Sequence, residues 1–597
     1  MKGKTFLRVL KFAARSRALI AVAAVCATIF ALSNVFSMYI LRPLMNSLVE
    51  GTATARSLAQ GIAVLAGIYL LGVLGRFAQQ FLMVRISQDA VKAMREELFE
   101  KLQKLPLSYF DNTPNGDTMS CFTNDLDAIT NMLNTAVMGL LIAAVQLAVT
   151  LGLMLYTHWQ LTLLTLVLSG AIMLLSVRLL KTSEGKYDRQ QAQIGVLNAY
   201  AEEIVSGQKI VKLFGREEIT EAEFDALNEE TCRMQESAQY SGGIIEPVLA
   251  NLCRGVYAVT ALAGGLLCVS RGFDIGGLTV FVYFAGNFCA PVAEVASQVS
   301  SIFTALAGAD RVFSVMDRPE EADLESAPVR IRREAGGNRY RAVAEYAAVD
   351  GREVKGHVLL EHVSFGYTPG VQILKDLSVD VPAGQKLAIV GSTGAGKTTI
   401  INLVNRFYEI DSGKISIDGT DVRDICLEDL RRCIAIVLQD THLFTGTVRE
   451  NIRYGRLEAT DQEVEDAARL ASADSFISHL EKGYDTLLEN DAANLSQGQR
   501  QLLSIARAAV SRAPILILDE ATSSVDTLTE KHIQEGMDRL MENRTTFVIA
   551  HRLSTVRNAD QILYLDAGRI LEQGTHEELM DRKGRYYSLY TGKTGLN

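Results

Sequence analysis

The clearest chemical signature in this sequence is a glycine-rich stretch in its second half. Residues 391–398 fit the pattern G-x-x-x-x-G-K-[ST], between a strand pattern at 386–390 and a helix pattern at 399–407. Glycines let backbone N–H groups close around phosphate oxygens, and the helix start adds a positive field. Lys397 can then reach the β- and γ-phosphates of a nucleotide, and the Thr398 hydroxyl can ligate Mg²⁺. The residues predicted to bind the nucleotide here are Gly391, Ser392, Thr393, Gly394, Ala395, Gly396, Lys397, Thr398 and Thr399.

Two adjacent carboxylates form the second candidate. Asp519 and Glu520 follow four apolar residues at 515–518, which is typical of a strand buried on both faces. Ligands bind at the carboxyl ends of such strands in open parallel sheets. Asp519 therefore suits the coordination shell of Mg²⁺, and Glu520 suits a base that polarises the attacking water.

A third candidate is the stretch 494–501, which reads N-L-S-Q-G-Q-R-Q before a helix pattern at 502–510. Ser496 and Gly498 at a helix start form another end that can bind an anion. One chain does not need two such ends for one nucleotide. The economical explanation is that this end binds the nucleotide of a second chain.

Each motif also has a plainer interpretation. The glycine-rich stretch can be a chance turn, although its flanking strand and helix disfavour that. Asp519 and Glu520 can be an ordinary loop start or N-cap, and Ser496 can be a plain helix cap. Asp519 and Glu520 are interpreted as functional mainly because the glycine-rich stretch occurs in the same chain.

The elements that must position these groups differ between the two halves of the chain. A helix needs about 20 apolar residues to cross a bilayer. Six such stretches occur. The long polar loops at 87–130 and 181–243 carry most of the lysine and arginine found in the loops between these stretches, which places them and both termini in the cytoplasm. The predicted spans are 18–41, 61–84, 132–156, 161–180, 245–269 and 275–303.

Composition supports a chain that is part membrane and part soluble. The 597 residues are 48% hydrophobic and carry a net charge of −10, which is no cue for nucleic acid. The eight cysteines have neither C-x-x-C nor metal-ligand spacing, so we expect them to be reduced. We predict a transmembrane domain at 1–318, a linker at 319–355, and an α/β nucleotide-binding domain at 356–597, where strand and helix patterns alternate.

The order of these motifs resembles that of the ABC transporter ATPases, and the membrane half resembles the six-helix exporter domain. The resemblance covers essentially the whole chain. By matching motif it implies that Tyr367 stacks on adenine, that Gln439 contacts Mg²⁺ and water, and that His551 contacts the γ-phosphate. It also implies that Asp526 bridges two ATPase domains and that Gln499 belongs to the signature around Ser496 and Gly498.

The signature departs from the commoner L-S-G-G-Q because Gln497 occupies its third position. This variant is similar to the catalytically intact chain of heterodimeric bacterial multidrug exporters, and Glu520 and His551 are both present. A heterodimer is therefore favoured over a homodimer. The bends at 108–118 and about 201–207 match the family's coupling helices, which press into the ATPase domains.

The resemblance implies a transporter subunit in the cell membrane, the bacterial inner membrane being the expected one. Using ATP and Mg²⁺, it would export small amphipathic or drug-like molecules or lipids, with hydrolysis at the dimer interface. A lipid flippase, a siderophore importer on the exporter fold and an ATP-gated regulator remain alternatives. Because polar groups in apolar spans are costly, Arg76, Arg254 and Glu294 are candidates to contact cargo, unless they snorkel or pair with one another.

Overall fold

The computed structural model describes residues 2–271, 273–321, 329–333, 346–348, 353–439, 441–489, 491–519, 527–549 and 556–592. The chain divides into two compact units. The membrane unit comprises Met1–Gln103 and Asn115–Arg318, and the nucleotide unit comprises Lys104–Pro114 and Pro319–Asn597. The nucleotide unit thus includes a short piece of the first long polar loop.

The membrane unit is helical in the residues that the structure describes. Two π-helical turns, Cys121–Asp125 and Met132–Ala136, interrupt the region that leads into its longest helix. The helices of the first half of the chain are α1 Lys2–Ala13, α2 Arg17–Val49, α3 Ala55–Gln103, α4 Leu107–Asn112 (in the nucleotide unit), α5 Asn115–Ser120, α6 Leu126–Asn131, α7 Val137–Ser206, α8 Gln208–Leu213, α9 Glu217–Gly243, α10 Ile245–Arg271, α11 Ile275–Asn287 and α12 Cys289–Met316.

Five stretches of the described chain are long and apolar enough to cross a membrane. The third stretch contains the third predicted span and most of the fourth. These two spans are separated at His158, whose backbone is extended at φ −164° and ψ 102° and therefore breaks the helix. Six predicted crossings are thus compatible with five continuous stretches. The five stretches are Arg17–Val49, Ala55–Gln103, Asn115–Ser176, Ala250–Ser270 and Ile275–Met316.

Helices α2 and α3 pack closely through small residues. A Cβ atom on Gly72 would lie 3.0 Å from Cβ of Ser33, and one on Gly75 would lie 3.0 Å from the carbonyl oxygen of Cys26. Lipid tails are as apolar as leucine, so helices in a bilayer associate mainly through such close contacts. The glycines therefore determine how near the two helices approach.

An ion pair fastens helix α12 to the π-helical turn before α6. The carboxylate of Asp125, which is 2% exposed, accepts hydrogen bonds from Nε and Nη2 of Arg311. A Cβ atom on Gly308 would lie 3.0 Å from Oδ1 of Asp125, so the small residue makes room for the carboxylate. Two distant parts of the chain are joined here by a buried charge.

The nucleotide unit combines a mainly parallel sheet with a smaller antiparallel one. The parallel sheet has the strand order β15-β14-β6-β13-β12-β9, in which only the β14–β15 pairing is antiparallel, and the second has the order β5-β4-β7-β8. The strands are β1 Ile331–Arg333, β2 Tyr346–Ala348, β3 Glu353–Val354, β4 Val358–Phe365, β5 Leu374–Val381, β6 Lys386–Gly391, β7 Ser412–Ile417, β8 Thr420–Asp421, β9 Ile434–Val437, β10 Gly446–Thr447, β11 Leu487–Leu488, β12 Ile515–Asp519, β13 Thr545–Ile549, β14 Gln561–Asp566 and β15 Arg569–Gly574.

Helices cover the parallel sheet, whose central strands are buried on both faces. Along β12, Ile515 and Ile517 belong to one hydrophobic cluster, while Leu516 and Leu518 belong to another. Alternate residues of a strand point to opposite faces, so this one strand contributes to two cores. The helices of this unit beyond α4 are α13 Lys397–Val404, α14 Leu427–Arg432, α15 Val448–Arg453, α16 Asp461–Leu470, α17 Asp474–Ile477, α18 Gln497–Ser511, α19 Thr527–Met541, α20 His576–Arg582 and α21 Arg585–Tyr590.

The sequence predicted this architecture of membrane helices followed by an α/β domain, and the prediction is confirmed. Part of the predicted linker at 319–355 nevertheless forms strands, because β1, β2 and β3 pair into a small antiparallel sheet. Short strands in a charged, alanine-rich stretch leave too weak an alternation for a sequence pattern to reveal.

Replacing Arg311 with alanine is expected to destabilise the membrane unit by about 2 kcal/mol, because the buried carboxylate of Asp125 loses the two N–H donors of a guanidinium that is itself 62% exposed. Thermal unfolding in detergent, followed by the fluorescence of the single tryptophan Trp159, measures this unit specifically. The matched control is Asp127→Ala, at an exposed carboxylate two residues away. Equal melting temperatures for the two variants would contradict a stabilising role of the ion pair.

Candidate functional site

The glycine-rich loop connects strand β6 to helix α13, as the sequence predicts. Gly391 has φ +151°, and a Cβ atom there would lie 2.0 Å from the carbonyl oxygen of Leu565 on the neighbouring strand. Gly396 has φ +103°, in the left-handed region that side chains disfavour. Both positions therefore require glycine for the loop to turn tightly enough to surround a phosphate.

Lys397 lies across the inner side of this loop. Its Nζ donates hydrogen bonds of 2.9 Å to the carbonyl oxygens of Gly391 and Ser392, and only 9% of the residue is exposed. Burial lowers the pKa of Lys397, while the negative charge of Asp519 acts in the opposite direction. The structure thus brings the carboxylate at the end of β12 close enough to act on the lysine of the loop.

The register of the parallel strands gathers the predicted residues at one edge of the sheet. Asp519 is opposite Ile549 on β13, and Leu518 is opposite Val437 on β9. Gln439 follows two residues after Val437 and is exposed, so it lies at the same carboxyl edge as Asp519. The exposed Thr398, in the first turn of α13, adds a hydroxyl oxygen near this edge.

The side chain of Tyr367 lies beside the glycine-rich loop, at the first turn of helix α13. The hydroxyl of Tyr367 donates to Oγ1 of Thr399 at 3.2 Å and accepts from Nδ2 of Asn402 at 3.1 Å. The ring meets Phe365 and Tyr408 edge to face, with each pair of centroids 4.9 Å apart. Because 45% of Tyr367 is still exposed, the ring is fixed in place yet open to stacking on a base.

Tyr408 connects this aromatic group to helix α4. Its hydroxyl donates to a carboxylate oxygen of Asp111, and its ring packs against Tyr367. Burial raises the pKa of Tyr408, and the neighbouring Asp111 carboxylate raises it further. The hydroxyl therefore stays protonated and acts as a donor. The predicted coupling helix at 108–118 thus contacts, through Asp111, the tyrosine that packs against the ring of Tyr367.

The signature serine begins helix α18 as an N-cap. The Ser496 hydroxyl accepts from the Gln499 amide at 3.2 Å, and Oε1 of Gln499 accepts from the Ser496 amide at 2.9 Å. The plain interpretation of Ser496 as a helix cap is therefore correct. It does not compete with anion binding, since the other amides of the first turn, that of Gly498 among them, still point out of the helix.

Asp491 joins this signature region to the segment that follows Gln439. One oxygen of its carboxylate accepts the backbone N–H of Leu443 at 2.8 Å and lies 3.1 Å from Nδ1 of His442. Arg507 of α18 reinforces the connection, because its Nη1 donates to the His442 carbonyl at 3.0 Å. The sequence gives no signal for these contacts, which join residues far apart in the chain.

Several predictions fall on residues outside the described part of the chain. These are the proposed base Glu520, the bridging residue Asp526 and the switch residue His551. Strands β12 and β13, which lead to Glu520 and His551, end next to each other at the carboxyl edge. The second predicted coupling helix, at about 201–207, falls at the end of α7 in the membrane unit.

Comparisons with known proteins agree with this architecture. Residues 20–292 match the family model of the ABC transporter transmembrane region, and residues 374–523 match the ABC transporter family model. The uncharacterized ABC transporter ATP-binding protein YfiC of Bacillus subtilis is 40% identical over 98% of this chain and 94% of its own length.

Two further relatives have names that specify a substrate. A fatty acid ABC transporter ATP-binding/permease protein of Mycobacterium bovis is 38% identical over 91% of this chain and 82% of its own length. An ATP-dependent lipid A-core flippase of Syntrophus aciditrophicus is 34% identical over 98% of this chain and 94% of its own length. The similarity extends over both the membrane part and the nucleotide-binding part.

Two substitutions at Tyr408 separate the ring from the hydroxyl. Tyr408→Phe keeps the ring contact with Tyr367, so the Kd for a fluorescent ATP analogue is expected to change less than about twofold. Tyr408→Ala removes an aromatic pair worth about 1 kcal/mol and is expected to raise that Kd about fivefold. Fluorescence anisotropy measures both values, and equal affinities in the two variants would show that the ring does not support the adenine site.

The connection through Asp491 can be tested by hydrolysis and binding together. Asp491→Ala leaves the Leu443 amide without its acceptor and is expected to slow ATP hydrolysis several-fold, while the Kd for the ATP analogue stays unchanged. Asp491→Asn retains an acceptor oxygen and serves as the matched control, with a rate near that of the wild type. A normal rate in the alanine variant would show that the contact does not position the signature helix.

Proposed function

The chain belongs to the ABC transporter family, as a half-transporter with a membrane domain fused to an ATPase domain, and on that premise we propose that it exports amphipathic molecules or lipids at the expense of ATP. The observation that carries the ATPase part is the glycine-rich loop with Lys397 lying across it. The membrane-crossing stretches on the same chain supply the pathway that hydrolysis would drive.

The oxygen donors at the sheet edge suit Mg²⁺. Thr398, Gln439 and Asp519 offer a hydroxyl, an amide carbonyl and a carboxylate, and Mg²⁺ is usually bound by one or two carboxylates together with substrate phosphates. In the described residues no group of three or more histidine, cysteine or acidic side chains is arranged to hold a metal by itself. When bound, Mg²⁺ would neutralise charge on the β- and γ-phosphates.

The residues of the chain have distinct roles in this proposal. Lys397 binds the terminal phosphates, Tyr367 stacks on the adenine, and Gln439 orients the attacking water. Glu520 polarises that water as the general base, and His551 contacts the γ-phosphate. The roles of Glu520 and His551 rest on their motifs and on the strands that lead to them.

The start of helix α18 at Ser496 is the reason for proposing a second chain. The loop at Gly391 and the helix start at Ser496 are two separate anion-binding ends, and we assign the second to the nucleotide bound by a partner, with Asp526 bridging the pair. A heterodimer remains favoured because of Gln497 in the signature, and a homodimer is the alternative. Closure of two such domains on ATP would shift a two-state membrane domain from inward- to outward-facing.

Lipid-like cargo is supported by the names of two relatives, the fatty acid transporter and the lipid A-core flippase. A flippase uses the same machinery and differs only in where the cargo is released. A siderophore importer on the same fold and an ATP-gated regulator remain alternatives. We propose the cell membrane, expected to be a bacterial inner membrane, as the location, with the ATPase domain in the cytoplasm, because the two long loops carry most of the lysine and arginine found in the loops between the predicted spans.

The proposal is tested by ATPase activity of the chain purified in lipid. Glu520→Gln is expected to reduce turnover at least about a hundredfold, because proton transfer by a positioned base contributes about that much. Glu542→Gln, at an exposed glutamate after α19, is the matched control and should retain full turnover. Undiminished turnover in the Glu520 variant would contradict its role as the base.

The same assay distinguishes the two dimers. Robust turnover of the wild-type chain alone is expected only for a homodimer. Turnover that appears only after co-expression with the product of a neighbouring gene is expected for a heterodimer.

A further inference from the structure

A single charged residue lies in the second predicted span. Within residues 61–84, Arg76 is the only lysine, arginine, aspartate or glutamate. At about 1.5 Å of rise per residue, about 12 Å of helix separate it from the end of the span at Val84. A charge at this depth is costly unless it meets an opposite charge or water, so it marks a functional candidate.

Two neutral groups hold the Arg76 side chain. Its Nη1 donates a 2.9 Å hydrogen bond to Oε1 of Gln79, and its Cζ lies 5.3 Å from the ring centroid of Phe30 on α2. Gln79 is itself only 2% exposed, so its own packing fixes the oxygen that accepts the hydrogen bond from Arg76. These contacts orient the guanidinium, but neither of them neutralises its charge.

No carboxylate in the described part of the chain forms an ion pair with Arg76. A guanidinium has five N–H donors in a planar fork that suits carboxylate and phosphate. One of these donors is used by Gln79, so the others remain for a ligand. The site therefore has an orienting partner but lacks an anion.

The side of α3 next to Arg76 is apolar and exposed. Val73 is 63% exposed and Phe77 is 71% exposed, and the ring of Phe77 stacks against Phe81 at a centroid distance of 6.5 Å. On the opposite side, Gly72 and Gly75 pack against α2. Arg76 thus lies on the border between the packed face and an apolar surface that can receive a hydrocarbon tail.

Two other charged residues of the predicted spans also have neutral hydrogen-bond partners. Arg254 contacts the neutral Asn251 at 3.5 Å, and no carboxylate of the described residues pairs with it. Glu294 accepts a hydrogen bond from the neutral Gln298. In all, the predicted spans contain three arginines, Arg76, Arg178 and Arg254, and two glutamates, Glu246 and Glu294. Cations therefore outnumber anions, which favours an anionic ligand over a cationic one.

We propose that Arg76, oriented by Gln79, binds the anionic headgroup of an amphipathic cargo, a carboxylate or a phosphate, while the tail lies along Val73 and Phe77. The proposal rests on the transport function proposed above and specifies its cargo class. Lysine at this position would still attract the anion as a point charge. It lacks the planar fork of the guanidinium, which also selects the geometry of the anion, so Arg76→Lys should restore binding only in part.

Equilibrium binding tests this site without any need for transport. The probes are radiolabelled dodecyl phosphate, dodecanoate and dodecanol, which share one tail, and the full chain is held in uncharged maltoside detergent. We expect the wild type to bind the two anions at least about tenfold more tightly than the alcohol, as a charge-assisted hydrogen bond predicts. Arg76→Gln should abolish this preference, and Arg76→Lys should restore part of it.

A matched control and a headgroup control complete the experiment. Arg85→Gln removes an exposed arginine beyond the span and should leave the preference unchanged. Inorganic phosphate alone should compete poorly, because it lacks the tail. A preference for anions that survives in Arg76→Gln, or an equal loss of all three ligands in that variant, would overturn the site. Strong competition by free phosphate would overturn the role of the tail.

ATP-driven uptake into proteoliposomes is measured separately with the same three compounds. If the binding preference depends on Arg76 while no compound is transported, the proposed transport function fails and the site stands. If the compounds are transported but the preference ignores Arg76, the site fails and the transport function stands.

Discussion

Hydrocarbon offers no hydrogen-bond partner to a polypeptide backbone, and the rest of this structure depends on that constraint. Each membrane-crossing stretch must satisfy its amides within itself, so it is a helix. The one extended residue at the third and fourth spans, His158, falls at the turn between them. The same constraint makes Arg76 conspicuous, because an uncompensated charge in such a stretch is retained at a cost.

In the nucleotide unit, the constraint is that groups from distant parts of the chain must meet at one nucleotide. Parallel strands place all their carboxyl ends at one edge, and there the loop after β6, Asp519 and Gln439 come together. Left-handed glycines allow the loop to close, and Lys397 occupies its inner side. Because Lys397 is buried, its amine lies in a region of low dielectric, where a charge acts more strongly on a neighbouring anion than it would in water.

Contacts between motifs matter as much as the motifs. Tyr408 connects Asp111 of α4 with the ring of Tyr367, and Asp491 connects the segment after Gln439 with the region before helix α18. Through these contacts, a movement of one motif can shift the position of the next. A two-state transporter needs such connections, because a ligand shifts an equilibrium only by its differential interactions with the two states.

Local pattern alone determined the helical and α/β halves, the glycine-rich loop between a strand and a helix, and the strand that ends in Asp519, because the spacing of apolar residues and glycines encodes them directly. It also indicated Ser496, although the capping bonds with Gln499 became visible only in the structure. Only the tertiary structure decided that 104–114 belongs with the nucleotide unit, that part of the linker forms strands, and that Arg76 has Gln79 and Phe30 as its neighbours. Most of these depend on residues far apart in the chain, whose approach is set by packing and leaves no periodic trace in the sequence.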